Sequence, residues 1–179
     1  MRAGPVYRTT MEATGAARCD FADFVWNNRA PPRVQFFAWL LTQDRLNCRS
    51  NLKVKNILDD DICELCGQEA EDCQHLILTC PFATEAWRAL EIDASGCSVH
   101  SLWDIPRPAT IRLKHYDSFI LLLSWNLWKH RNEVIFRSLP PSHDRLWSAC
   151  KEEAREWRCR WKRDDYAICE AWCVKFSNM

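Results

Sequence analysis

Apolar residues in this chain fall into blocks with helical spacing, separated by short polar breaks and prolines. The first dense block is Val34, Phe36, Phe37, Ala38, Trp39, Leu40 and Leu41. Pro31 and Pro32 give it a stiff start, and Pro32 suits the first turn of a buried helix, where a missing N–H breaks no bond. The stretch Asp44 to Asn47 ends the block. Leu46, Leu52, Val54 and Ile57 then predict a shorter helix with Arg49 and Lys53 on its outer side. A very short helix follows at Leu76 to Leu78, with Asp72 placed to cap it and Pro81 biasing Cys80 away from helical geometry. Pro81 can open a further helix through Trp87 to Leu90, after which Ser, Gly and Pro make Asp93 to Pro108 a connector.

Beyond the connector the pattern lengthens. From Ile111 to about Phe136 it predicts one long helix, with Phe119, Leu122, Trp125 and Trp128 towards a core and a stop before Pro140 and Pro141. Trp147, Ala154, Trp161 and Ile168 then lie seven residues apart, and Cys150 and Trp157 sit three after the first two of them. That spacing predicts a helix from about Ser142 to Cys173 with a heptad-like seam, interrupted at Asp164. So short a seam predicts docking on the preceding helix, with dimerisation through exposed Trp147, Trp157 or Trp161 as the alternative. Residues Met1 to about Arg18 lack periodicity and read as a lead-in, with order beginning near Phe21.

Composition changes this picture little. A chain of 179 residues with 47% hydrophobic and 27% charged residues is globular. Ten tryptophans and only four glycines make it rich in core fillers and short of loop formers. Net charge is zero, so no global field draws it to nucleic acid or membrane. The distribution is uneven: between Arg29 and Lys55 there are six basic residues and one acidic, and Asp59 to Asp72 is acidic. The apolar run Phe119 to Trp128 is too short to span a bilayer and is broken by Ser124 and Asn126.

The chemistry lies in the cysteines. Cys63-Glu-Leu-Cys66-Gly67 is a C-x2-C turn, and His75 and Cys80 follow at a spacing that lets four N or S donors converge on one zinc ion. Gly67 suits a turn residue with positive φ. Spacing alone also admits Cys73 in place of His75. Four protein donors close the coordination shell, which predicts one structural Zn²⁺ and no catalytic metal. Eleven cysteines, an odd number, and a start without an apolar leader core argue against a disulfide scaffold, and the expected setting is intracellular and reducing, nuclear or cytoplasmic. No Gly-rich phosphate loop, G-x-S-x-G elbow or H-E-x-x-H is present, and Asp59 to Asp61 read as a solvated acidic turn.

The expected fold class is therefore mainly α: a small zinc-stapled helical module followed by two long packed helices. The expected division is residues 1–20 as lead-in, 21–92 as the zinc-binding module, 93–110 as connector and 111–179 as a Trp-rich helical region.

Trp26, Ala30 to Leu41, Asp44-Arg45-Leu46, Asn56-Ile57, Cys63 to Cys66, His75-Leu76, Cys80 to Ala83 and Trp87 together resemble the reverse-transcriptase zinc-binding domain of plant non-LTR (LINE-type) retrotransposons. The likeness runs from about Phe21 to Leu90, and Trp125 to Phe136 also resembles the helical stretch that follows in those polyproteins. It implies Cys63, Cys66, His75 and Cys80 as the zinc ligands. It also implies a C-terminal fragment whose parent was a reverse transcriptase, while this chain carries no Tyr-x-Asp-Asp polymerase motif and no ribonuclease H core. A non-catalytic module holding RNA or DNA would use Arg33, Arg45, Arg49, Lys53 and Lys55 against phosphate, with aromatic rings stacking on bases. Two other outcomes are a zinc-stabilised scaffold binding a protein partner or a second copy, and a retroelement remnant without retained function.

Overall fold

The computed structural model describes residues 20–179; the expected lead-in before Arg18 lies outside them. The architecture is helical, as the sequence predicts, and among the described residues the only β pairing is a single antiparallel bridge between Ile62 and Ala70. Helix α1 spans Asp20–Trp26 and α2 spans Pro32–Thr42, with Pro32 in its first turn. Helix α3, Arg49–Val54, is shorter than predicted and faces differently: Val54 and, beyond its end, Ile57 are exposed, Lys53 is outside as expected, and the Arg49 side chain is largely covered by its ion pairs. A π-helical turn at His75–Thr79 leads into α4, Pro81–Ala89, and Val99–Asp104 adds 3-10 turns to the connector.

Helix α5, Tyr116–Arg137, is the spine of the molecule. It starts later than Ile111 because His115 takes positive φ (68°) just before it. All of Phe119 to Leu123 is buried, so this half of α5 is enclosed on every side. Helix α2, the π turn and helix α6, His143–Trp157, pack around it. The buried core runs without interruption from Phe24 to Phe176, across both sides of the 93–110 connector.

The helix predicted from Ser142 to Cys173 is two helices. Helix α6 ends at Trp157, 3-10 turns occupy Arg158–Arg160 and Arg163–Asp165, and α7 runs Tyr166–Ser177 back along α6. The break brings the Trp161 ring edge-on to Trp172, with centroids 4.9 Å apart. Asp165 is held at the start of α5 by Lys114 (2.5 Å) and His115 (3.1 Å). The seven-residue positions are thus all buried, but on two facing helices and the turn between them. Trp147, Trp157 and Trp161 are only 6%, 1% and 5% exposed, so they fill this chain's own core and offer no surface for dimerisation. No helix among the described residues is long and apolar enough to cross a membrane.

Candidate metal centre

The bridge between Ile62 and Ala70 closes a tight loop, reinforced by Cys63 N–H donating to Glu69 O (2.8 Å) and Glu71 N–H to Asp61 O (2.7 Å). Within it, Gly67 N–H donates to Cys63 O (2.7 Å) with Gly67 at φ 66°, which folds the two C-x2-C sulfurs to one side. The other half comes from the π turn. Residues five apart on an α-helix point about 140° away from each other. Here the i→i+5 bond from Cys80 N–H to His75 O (2.7 Å) brings those two positions onto one face. Asp72 Oδ1 accepts from His75 N–H (2.6 Å), capping the turn as the sequence predicts.

One donor atom from each of Cys63, Cys66, His75 and Cys80 lies within 4.8 Å of all the others. Cys63 Sγ is 4.0 Å from Cys80 Sγ, and Cys66 Sγ is 3.4 Å from His75 Nε2. Donors bonded to a tetrahedral zinc stand about 3.8 Å apart for two sulfurs and about 3.6 Å for sulfur and nitrogen. The donor set therefore fits zinc in type and separation. Cys63, His75 and Cys80 are buried, and Cys66 is half-buried. Glu69 Oε2 lies 3.2 Å from His75 Nδ1, without the alignment of a hydrogen bond. That places a carboxylate behind the ring nitrogen that faces away from the sulfurs.

The clustered donors perturb one another's titration. Contact with Cys80, together with burial, pushes the Cys63 thiol up to about 12. The same contact pulls the Cys80 thiol down, helped by the N–H groups of Phe82 and Ala83 at the start of α4. Cys63 and Cys66 push His75 up to about 9 against the effect of burial. A divalent ion bound among the four converging donors would displace the protons they carry.

Cys73 does not join this cluster; its sulfur turns to Asp44 and Cys48. The basic residues are largely engaged. Arg33 pairs with Glu153 (2.5 Å) and lies near Glu156, Arg49 bridges Asp60 (2.7 Å) and Glu64 (2.9 Å), and Lys53 pairs with Asp61 (2.8 Å). The acidic stretch after Asp59 thus folds back on the basic one before it, a pairing that charge counts along the chain do not reveal. Lys55 reaches Asn47 (3.2 Å), and Arg45 lies over the Trp39 ring, 5.9 Å from its centroid. Neither forms an ion pair with another described residue.

Fold and site define a helical protein with a closed cluster of three cysteines and one histidine that can hold a metal ion. Residues 4–87 match the family described as zinc-binding in reverse transcriptase, a segment that includes all four donors and makes zinc the implied metal. That family describes a zinc-binding segment and not a catalytic domain. No curated protein and no solved structure matches the chain.

Proposed function

We propose that the chain is a non-catalytic zinc module descended from a plant non-LTR retrotransposon polyprotein, in which one structural Zn²⁺ held by Cys63, Cys66, His75 and Cys80 fixes a helical platform for RNA or DNA. The observation that carries the zinc reading is the closure of four donors within 4.8 Å in a family-matched segment. Three thiolates and one imidazole around Zn²⁺ carry about one net negative charge, so phosphate must be met elsewhere.

The platform is supported by a strip on α2. Phe36, 54% exposed, stacks on Trp39 (centroids 5.6 Å apart), and Arg45 covers the Trp39 ring. Rings interleaved with a cation, here one with no carboxylate partner among the described residues, are a means by which unpaired bases are held without sequence preference. Arg45 and Lys55 are the phosphate contacts in this reading, whereas Arg33, Arg49 and Lys53 serve the fold.

Two measurements test it. Purified chain is expected to carry zinc, and Cys63→Ser or Cys80→Ser to lose the metal together with the ordered structure of residues 59–90, because a structural zinc contributes on the order of 10 kcal/mol to folding. Binding to single-stranded RNA and DNA weakens with salt, and Phe36→Ala with Arg45→Glu lowers it at least about tenfold while the zinc stays. Salt-independent binding, or none, overturns the nucleic-acid reading and leaves the zinc reading intact.

A further inference from the structure

Asp44 and Cys48, at the two ends of the link between α2 and α3, meet Cys73 from the segment before the π turn, and one donor atom from each lies within 4.8 Å of the other two. We propose that they form a second metal site, open and exchangeable, for a thiophilic divalent cation such as Zn²⁺ or Cd²⁺. It shares no donor with the closed cluster.

The two sulfurs are fully buried, and Asp44 stands exposed at the rim. Each donor is fixed by backbone structure that exists without the ion. Asp44 sits at φ 52° in the turn ending α2, where its N–H donates to Leu41 O (3.0 Å) and the N–H of Arg45 to Leu40 O (2.8 Å). Asn51 Nδ2 holds the same turn by donating to the carbonyls of Asp44 and Leu46, both at 2.9 Å. Cys48 is the residue before the first turn of α3. The start of α3 is tied to the segment carrying Cys73, because Arg49 N–H donates to Glu71 Oε1 (2.9 Å) and Ser50 N–H to Glu71 O (3.0 Å). The sulfurs therefore face each other on a fixed frame.

Two sulfurs select a soft ion, and the carboxylate completes three protein donors. Three donors leave a fourth position, which opens towards solvent on the Asp44 side and takes a water or an external thiolate. Binding breaks two S–H bonds and forms two metal–sulfur bonds, and both protons leave to solvent. An ion held this way exchanges faster than one in the closed cluster.

The test counts cadmium on the intact chain after purification under reducing conditions, using elemental analysis and thiolate-to-cadmium absorption. Two ions per chain are expected, the second removed by a mild chelator while the first stays. Cys48→Ser keeps a residue favoured before a helix start, and Asp44→Gly suits positive φ, so both variants retain the fold. Cys48→Ser with Cys73→Ser binds one ion, and Asp44→Gly weakens the second ion more than about tenfold. A single ion in the unmodified chain, a second ion that survives the double substitution, or a Cys48–Cys73 disulfide found in its place overturns the proposal.

Discussion

Arg131 on α5 and Glu71, in the segment just before His75, form an ion pair in which both side chains are buried, at 3% and 0% exposure. Arg131 Nε donates to Oε1 (3.0 Å) and Oε2 (3.1 Å), and Arg49 N–H donates to Oε1 as well (2.9 Å). The guanidinium also covers the Trp128 ring at 5.2 Å. One carboxylate therefore joins the metal-bearing loop, the start of α3 and the long helix. The part of the chain that carries the four donors and the part that follows it are thus joined by this buried pair.

Arg131→Met leaves Glu71 as an unpaired buried charge, and the expected loss is about 3–5 kcal/mol in urea unfolding. Arg131→Lys also loses stability, because an ammonium cannot replace the two-point contact. Glu71→Leu combined with Arg131→Met is expected to fall within about 1–2 kcal/mol of the parent, since a well-packed apolar pair can substitute for a buried ion pair. A double variant as unstable as Arg131→Met alone would show that the pair does more than satisfy itself.

Metal removal should be felt along α5. The loop that presents Glu71 lies between Cys66 and His75, so loss of the ion frees the partner of Arg131. Amide hydrogen exchange after chelation is expected to rise across residues 125–137 as well as 59–90. Exchange confined to 59–90 would mean that the two parts are not coupled.

Sequence placed the proline-led starts of α2 and α4 and the ends of α2, α4 and α5 closely, but put the start of α5 at Ile111 instead of Tyr116. Pro32 and Pro81 mark the first turns of α2 and α4 because a missing N–H is harmless only there. The ends of α2, α3 and α4 lack the glycine that usually marks them. Asp44 (φ 52°), Asn56 (φ 55°) and Glu91 (φ 62°) take that left-handed position instead. The π turn that puts His75 and Cys80 on one face, with Cys73 turned to Asp44 and Cys48, was not visible in the sequence, because spacing rules assume ordinary helical geometry. The four zinc-type donors were legible since their identity and order carry the chemistry. The break at Arg158 was not, because the long-range contacts that pin Asp165 to Lys114 and His115 leave no local pattern.

The left-handed ends give a direct prediction. A non-glycine residue in this conformation costs about 1 kcal/mol, less for asparagine. Asn56 is exposed, and its N–H donates to Lys53 O (2.9 Å) through the backbone, which glycine preserves. Asn56→Gly is expected to raise thermal stability slightly. Glu91→Gly removes more strain but also loses contacts with Thr110 (2.9 Å) and Lys175 (3.3 Å), so its net effect is expected near zero. A clear loss in Asn56→Gly would contradict the conformational argument.

His130 on α5 gives the protein a pH dependence of known sign. The ring is buried between elements, stacked on Phe82 with centroids 5.0 Å apart, and its Nε2 accepts a bond from Ser142 N–H (3.1 Å). Burial, reinforced by Arg145 and His143 and opposed by Glu133, holds its pKa down at about 4, against an ordinary value of 6.5. Between those values the unfolded chain binds a proton that the folded chain refuses, so stability falls as pH drops through the window. The contribution is fully present above about pH 6.5 and gone below about pH 4, with a size of roughly 1–3 kcal/mol. Acid release of a metal would act in the same direction, so the parent alone cannot separate the two. His130→Gln keeps an acceptor for Ser142 N–H and does not titrate. The variant should be less stable than the parent at pH 7 and lose the difference as the pH approaches 4, read from urea midpoints across the range. Parallel curves for parent and variant would exclude His130 as the titrating group.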